Sequence, residues 1–390
     1  MKFYTKTGSS HGYFEGRYFN HLKFAKCEPE SIYWYDCHDY VVRQLEIKDC
    51  LEEIHWNHLL EDPTSKFMIF HPDEYFNYSD VKMWVDTLKK RRVPTSQVYF
   101  VVEDENWVEW FNRIMEKFDY RGYNICSLPL LMWVVRPQEK QSITGRFSIL
   151  SRNYQKWRLD FFLKLLEKDL LKDMTYTFNN LCPYGDNMPI FPHEELIANA
   201  EELGFTINEK ILNWIKHVPY TFDNVRITDK FSNVVYDTIS SHGINVVVES
   251  QCDPHYFFGG HRHIDSKTFS VAFPTEKTFK AIACSRPFII LSSQYFLQEF
   301  KQLGFKTFHP YIDESYDNCY NMQDRFNAIV NELDRLRNLS DKEFQDLLEV
   351  LQPIADYNLE VMKERQSHVK LTGNFEFLNQ YLDKHFLFNR

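Results

Sequence analysis

A helix that runs straight into a short apolar strand constrains this chain more than any other stretch. Thr275 is a good helix N-cap, with Glu276 and Lys277 in the first turn behind it. Phe279, Ile282 and Ala283 recur at helical spacing and give the helix an inward face. Pro287 stops it, and Phe288-Ile-Ile-Leu291 reads as a short, fully buried strand. A second helical pattern follows through Phe296, Phe300 and Leu303, with Gly304 as its C-cap, and Lys306–His309 reads as the next strand. Helix, strand, helix, strand with very short connections is the pattern of a parallel sheet covered by helices.

The same alternation extends through most of the chain. Phe67–Phe70 is a strand, followed by a helix through Val81, Trp84, Val85 and Leu88 that closes on Lys89-Lys90-Arg91-Arg92. Cations there offset the helix dipole, which accounts for the basic run without a nucleic-acid contact. Val98–Val102 is the next strand, a helix carries Trp107, Trp110, Phe111, Ile114 and Met115, and Tyr123–Cys126 forms a third strand. The first two strands end in acids, Asp73-Glu74 and Glu103-Asp104, where open α/β sheets gather ligands. Residues 1–65 hold aromatic clusters but no motif.

Polar Pro137–Thr144 reads as an interdomain linker. Beyond it come a strand at Arg146–Leu150, a helix at Tyr154–Asp169 with Trp157, Phe161, Leu165 and Leu166 inward, and a strand at Met174–Phe178. Helices over 193–203, 208–217 and 229–241 precede a strand at Ile244–Glu249. Residues 318–366 are mostly helical, with Ser340-Asp-Lys-Glu343 as a capping box. A length of 390 residues holds two domains with a core each, assigned to 1–140 and 146–366, with a closing helix in 373–390 packing back on the first.

Composition narrows the function. A net charge of −10 argues against a general phosphate-tracking nucleic-acid binder. No apolar run approaches 18 residues and the N-terminus has no signal-peptide pattern, so a soluble cytoplasmic protein is expected. Eight scattered cysteines form no C-x-x-C pair, which points to reduced, buried thiols. Cys252, His255, His261 and His263 are the one metal candidate, but Gly259 and Gly260 make the stretch a turn, so no metal is expected. Absence of G-x-G-x-x-G and of a P-loop argues against a nicotinamide dehydrogenase or a P-loop phosphotransferase.

The chemistry suggested lies at the 275 helix start. Backbone N–H groups and the dipole favour an anion there, Lys277 adds a mobile positive charge, and Glu276 can accept from ribose hydroxyls. A nucleoside diphosphate presents both groups. A capped surface helix with a solvated Glu-Lys pair satisfies the same local pattern.

The run Val246-Val-Val-Glu249-Ser250 … Thr275-Glu276-Lys277 … Ala281 … Pro287 resembles the donor-sugar motif of alpha-1,3-fucosyltransferase-like enzymes, with Ser250 where that family has asparagine. Ser151-Arg152-Asn153 with Arg158 is similar to the element opening the donor domain of those enzymes, whose arginine binds the donor pyrophosphate. Arg152 and Arg158 both fit, and spacing favours Arg158; a planar fork suits two phosphate oxygens.

The resemblance implies the GT-B type of α/β fold, two Rossmann-like domains facing each other across a cleft, with C-terminal helices. It implies a glycosyltransferase that moves a hexose or fucose from a nucleotide sugar, GDP- or UDP-linked, to an acceptor hydroxyl such as that of a glycan, without metal or other cofactor. Asn153, Arg158, Glu249, Thr275, Glu276 and Lys277 would bind the donor. An inverting reaction needs a general base, for which Glu74 and Glu103 are candidates with Asp73 and Asp104 as rivals. Asp313, Glu314 and Asp317 either contact sugar hydroxyls or cap a helix. Two alternatives stand beside this reading: transfer onto a modified DNA base, which the aromatic content favours and the acidic balance opposes, and a catalytically inactive GT-B-like scaffold.

Overall fold

Nine parallel strands in two sheets organise the described residues of the computed structural model, which are 2–4, 31–36, 51–71, 78–102, 105–127, 135–151, 154–181, 190–222, 232–249 and 274–370. The chain divides into two units. The first holds the described residues up to 127 together with 366–370, and the second holds those from 135 to 365. The expected α/β class with two parallel sheets is what the chain adopts.

In the first unit β1 (Lys2–Tyr4), β2 (Ser31–Asp36), β3 (Lys66–His71), β4 (Val98–Val102) and β5 (Asn124–Ser127) lie in the order β1-β2-β3-β4-β5. Helices α1 (Glu53–Glu61), α2 (Tyr78–Arg91) and α3 (Glu105–Lys117) alternate with the last four. Phe67, Met68 and Ile69 are consecutive and all buried, so β3 is covered on both faces, as a parallel sheet requires. Trp56 of α1 meets Phe67 at 5.1 Å between ring centres, and Phe111 of α3 meets Phe100 at 4.6 Å. The basic run is used locally: Lys89 donates to the Phe118 carbonyl at 2.7 Å, and Arg91 pairs with Glu53 at 2.7 Å.

The second unit contains β6 (Gly145–Leu150), α4 (Lys156–Glu167), β7 (Met174–Thr177), α5 (His193–Glu202), α6 (Glu209–Lys216), α7 (Asn233–Ser240) and β8 (His242–Val248). It continues through α8 (Glu276–Ala283), β9 (Phe288–Leu291), α9 (Phe296–Gln302), α10 (Met322–Arg337) and α11 (Asp341–Lys370) as far as residue 365. Its strand order is β7-β6-β8-β9. Every residue of β8 and β9 is buried, so both belong to the core, although β9 lies at the edge of the sheet. Helix α11 crosses β8 so closely that a Cβ on Gly243 would stand 2.9 Å from the Phe344 ring.

The segment 137–144, read as the interdomain linker, is bonded to the second unit: Gln138 N–H donates to the Ala283 carbonyl at 2.9 Å, Lys140 meets Asp356 at 2.6 Å, and Gln141 donates to Asp237 at 2.6 Å. One sequence expectation changes here. Lys306–His309 is not a strand. The Asn358 side chain takes both backbone groups of Lys306, accepting from its N–H at 2.7 Å and donating to its carbonyl at 2.8 Å, and Glu314 accepts from Phe308 N–H at 2.6 Å. The helix expected in 373–390 and the histidine-rich stretch 255–263 lie outside the described residues.

Candidate functional site

Strand order locates the site. From β6 the chain goes outward to β7, then returns to β8 on the other side of β6. The direction of winding therefore reverses between β6 and β8, and in open parallel sheets ligands bind beyond the carboxyl ends of the strands at such a reversal. The helices that follow β6 and β8 are α4 and α8, so the two helix starts singled out in the sequence belong to adjacent strands.

Arg158 lies in the first turn of α4, and Glu249 directly follows β8. They meet: the Arg158 guanidinium donates through Nη2 to the Glu249 backbone carbonyl at 3.2 Å, and its Cζ stands 5.0 Å from the centre of the Trp157 ring. Arg158 is only 3% exposed.

Thr275 caps α8 as expected, its hydroxyl accepting from Lys277 N–H at 3.2 Å. The far end of α8 stops before Pro287 is reached. Ser285 adopts a left-handed conformation (φ 48°), Ser285 N–H bonds back to Ile282, and Arg286 N–H to Ala281, the arrangement that closes many helices around a C-terminal glycine.

The Glu249 side chain turns inward onto α8. Its Oε1 accepts from Thr275 N–H at 3.0 Å and from the Thr278 hydroxyl at 2.5 Å, and its Oε2 accepts from the Thr275 hydroxyl at 2.5 Å. Glu249, Thr275 and Thr278 are all fully buried. The anion that this helix start attracts is thus the chain's own carboxylate. Lys277 Nζ lies 3.1 Å from the Thr275 hydroxyl oxygen, 3.9 Å from Glu249 Oε2 and 3.8 Å from Glu276 Oε1. Its side chain is 24% exposed, whereas that of Glu276 is 8% exposed, so the ammonium is the charge this cluster presents outward. Two cations and two carboxylates are held together, and of the four the lysine side chain is the most exposed.

The structure therefore brings together Arg158, Glu249, Thr275, Glu276 and Lys277 around the end of β8. Glu74, Glu103, Asn153 and their rivals Asp73, Asp104 and Arg152 lie outside the described residues. The acids after β9 are engaged locally. Asp313 accepts from Ser315 N–H at 2.9 Å, and Asp317 Oδ1 accepts from Leu297 N–H at 3.0 Å at the start of α9. Burial pushes the Asp317 carboxyl up to about 6, with its backbone hydrogen bonds and Arg325 pulling it down.

Sequence reasoning missed Thr278, and it quoted Ser151 only as part of the Ser151-Arg152-Asn153 turn. Thr278 sits three residues after the cap, a spacing that puts both hydroxyls on one side of the helix start and was legible. Ser151 closes β6; it is 2% exposed and its hydroxyl finds no protein partner. Among the described residues no group of three or more His, Cys, Asp or Glu side chains is placed to hold a metal ion, and no helix is long and apolar enough to cross a membrane. Cys284 is buried and its thiol is pushed up to about 12, as expected of an inert core cysteine.

No family model and no curated protein matches the sequence. Solved structures with a similar course of chain include the GtfA/B complex (12% identity, TM-score 0.44), with 92% of this chain and 58% of that chain covered. The chain thus spans under two thirds of that protein's length. Another is the E. coli trehalose-6-phosphate protein bound with UDP-2-fluoro glucose (12%, 0.43), with 88% and 74% covered. The DNA-modifying enzyme beta-glucosyltransferase, studied with and without uridine diphosphoglucose, is similar over 85% of this chain and 84% of its own (9%, 0.37). At these identities and scores the likenesses assign no activity to this chain.

Proposed function

We propose that the protein is a glycosyltransferase whose second unit binds the diphosphate of a nucleotide sugar at the β6–β8 reversal. The observation that carries this reading is the meeting of Arg158 and Lys277 at one carboxylate residue, Glu249, from helices that follow two adjacent strands. The matching run of residues from Glu249 to Pro287 supports the finer reading, a donor site of the fucosyltransferase-like kind.

In this scheme Lys277 swings from its resting contact with Thr275 to the diphosphate and neutralises charge as the leaving group departs, the electrostatic contribution that usually dominates such reactions. Arg158 holds the end of β8 and adds positive potential from below. Glu276 accepts from the ribose, and Asn153 belongs to the same donor side. An inverting reaction draws its base from Glu74 or Glu103, which deprotonates the acceptor hydroxyl. The acceptor is a glycan or another hydroxyl-bearing molecule, and no metal takes part.

Melting in the presence of GDP, UDP, ADP and CDP tests the reading. A ligand at a hundred times its Kd stabilises the native state by about 2.7 kcal/mol, a shift of several degrees. One diphosphate should raise the melting temperature, and its base then narrows the sugar. No shift with any of the four removes the donor site and leaves the scaffold reading.

A further inference from the structure

Glu249 and Thr278 are shut off from solvent, and among the described residues Thr275 links them to Lys277. Both are fully buried, and both oxygens of the Glu249 carboxylate are spoken for by α8: Oε1 by Thr275 N–H and the Thr278 hydroxyl, Oε2 by the Thr275 hydroxyl. A carboxylate can only accept, so it fixes the direction of the Thr275 hydroxyl, whose single proton points at Oε2. The lone pairs of that oxygen are left facing the other way, where they meet Lys277 N–H at 3.2 Å and Lys277 Nζ at 3.1 Å. A hydroxyl with no such acceptor would be free to rotate, and nothing would hold its lone pairs toward the lysine. This one cannot rotate.

We infer that Glu249 and Thr278 are positioning residues that polarise the Thr275 hydroxyl and so set the place from which Lys277 reaches an anionic ligand. The inference rests on the diphosphate reading of the site and assigns Glu249 to the wall behind the lysine instead of to the donor. Thr278 supplies one of the three donors that keep the carboxylate from turning. Replacing Glu249 by glutamine puts an amide N–H where an acceptor was. The hydroxyl can then reverse and turn its proton toward the ammonium.

Binding of the nucleoside diphosphate that shifts the melting temperature, measured by titration calorimetry on the full chain, tests this through a double-mutant cycle. Thr278→Val should weaken binding about three- to tenfold, the size of one lost hydrogen bond, and Glu249→Gln by at least as much. Thr278→Ser, which keeps the hydroxyl, should stay within about twofold of the unaltered protein. In a Lys277→Ala background the Thr278→Val and Glu249→Gln effects should both shrink to less than about twofold, because the group they act through is gone. Equal losses in both backgrounds overturn the inference, as does a Thr278→Val protein that binds normally. A Lys277→Ala protein that binds as the unaltered one does removes the anion site itself, which is a different failure. Thr278→Ser guards against misfolding, since it keeps the donor and differs by one buried methyl group.

Discussion

The two sheets are made from the same parts and differ in the order in which the strands are laid down. In the first, each described strand lies beside its neighbour in the chain, β1 through β5. In the second, the chain leaves β6 in one direction and comes back to its other side. Sequential order gives the carboxyl ends of the described strands no point of reversal, whereas the order β7-β6-β8-β9 brings the starts of α4 and α8 side by side. The alternation of strands and helices is thus not enough to place a site; the reversal is what places it. The proposed function assigns donor recognition to the second sheet and acceptor activation to Glu74 or Glu103.

The strongest way to break that division is to remove the base. Glu74→Gln or Glu103→Gln, whichever carries the role, should lower turnover about a hundred- to ten-thousandfold while leaving diphosphate affinity unchanged. Loss of affinity in either variant would move part of donor recognition to the first unit, and full turnover in both would leave the acceptor side without its base. Lys277→Ala tests the other half: affinity for the nucleoside diphosphate should fall about ten- to a hundredfold, the value of one charge-assisted contact. Calorimetry reads it directly.

The smallest effect concerns stability and a group of the second unit, Asp317. Burial raises the Asp317 carboxyl from 3.8 to about 6, so the folded chain holds that proton more tightly than the unfolded chain. Stability from this group is therefore highest below pH 4, falls as pH rises toward 6 and is flat above. Asp317→Asn keeps an acceptor for Leu297 N–H and should remove that slope, adding on the order of 2 kcal/mol at pH 7. Denaturant unfolding at pH 4 and pH 7 gives the difference; parallel slopes for the two proteins would count against it.

Much of this was written in the sequence, and the exceptions have identifiable causes. Strands β3, β4, β6, β7, β8 and β9 announced themselves as apolar runs bounded by helical periodicity, and α8 by the Thr275 cap. Strand β1, three residues long, is too short to show a period, and β2 carries Tyr33-Trp34-Tyr35 in consecutive positions, which breaks any apolar–polar alternation in the sequence. The strand expected at Lys306–His309 failed because its hydrogen bonds go to Asn358, 52 residues away, a partner that no local pattern reveals. At the site, the residue types at the helix starts were legible. The inward turn of Glu249 was not, since a glutamate after a strand looks the same whether it faces ligand or helix. Nor could the segment 137–144 be seen as fastened, because its partners Ala283, Asp237 and Asp356 come from three distant helices or their ends.

The Asn358 pincer has a consequence for life in solution. Open sheets end in a row of backbone groups that invite a neighbouring molecule to add a strand, and β9 is such an end. Here the segment that would have extended the row is held off by one amide, its Phe308 ring packs edge-on against Phe288, and the Tyr316 hydroxyl accepts from Ile290 N–H at 3.4 Å. At this border the Ile290 N–H is paired by a side chain, which cannot propagate the way an added strand would.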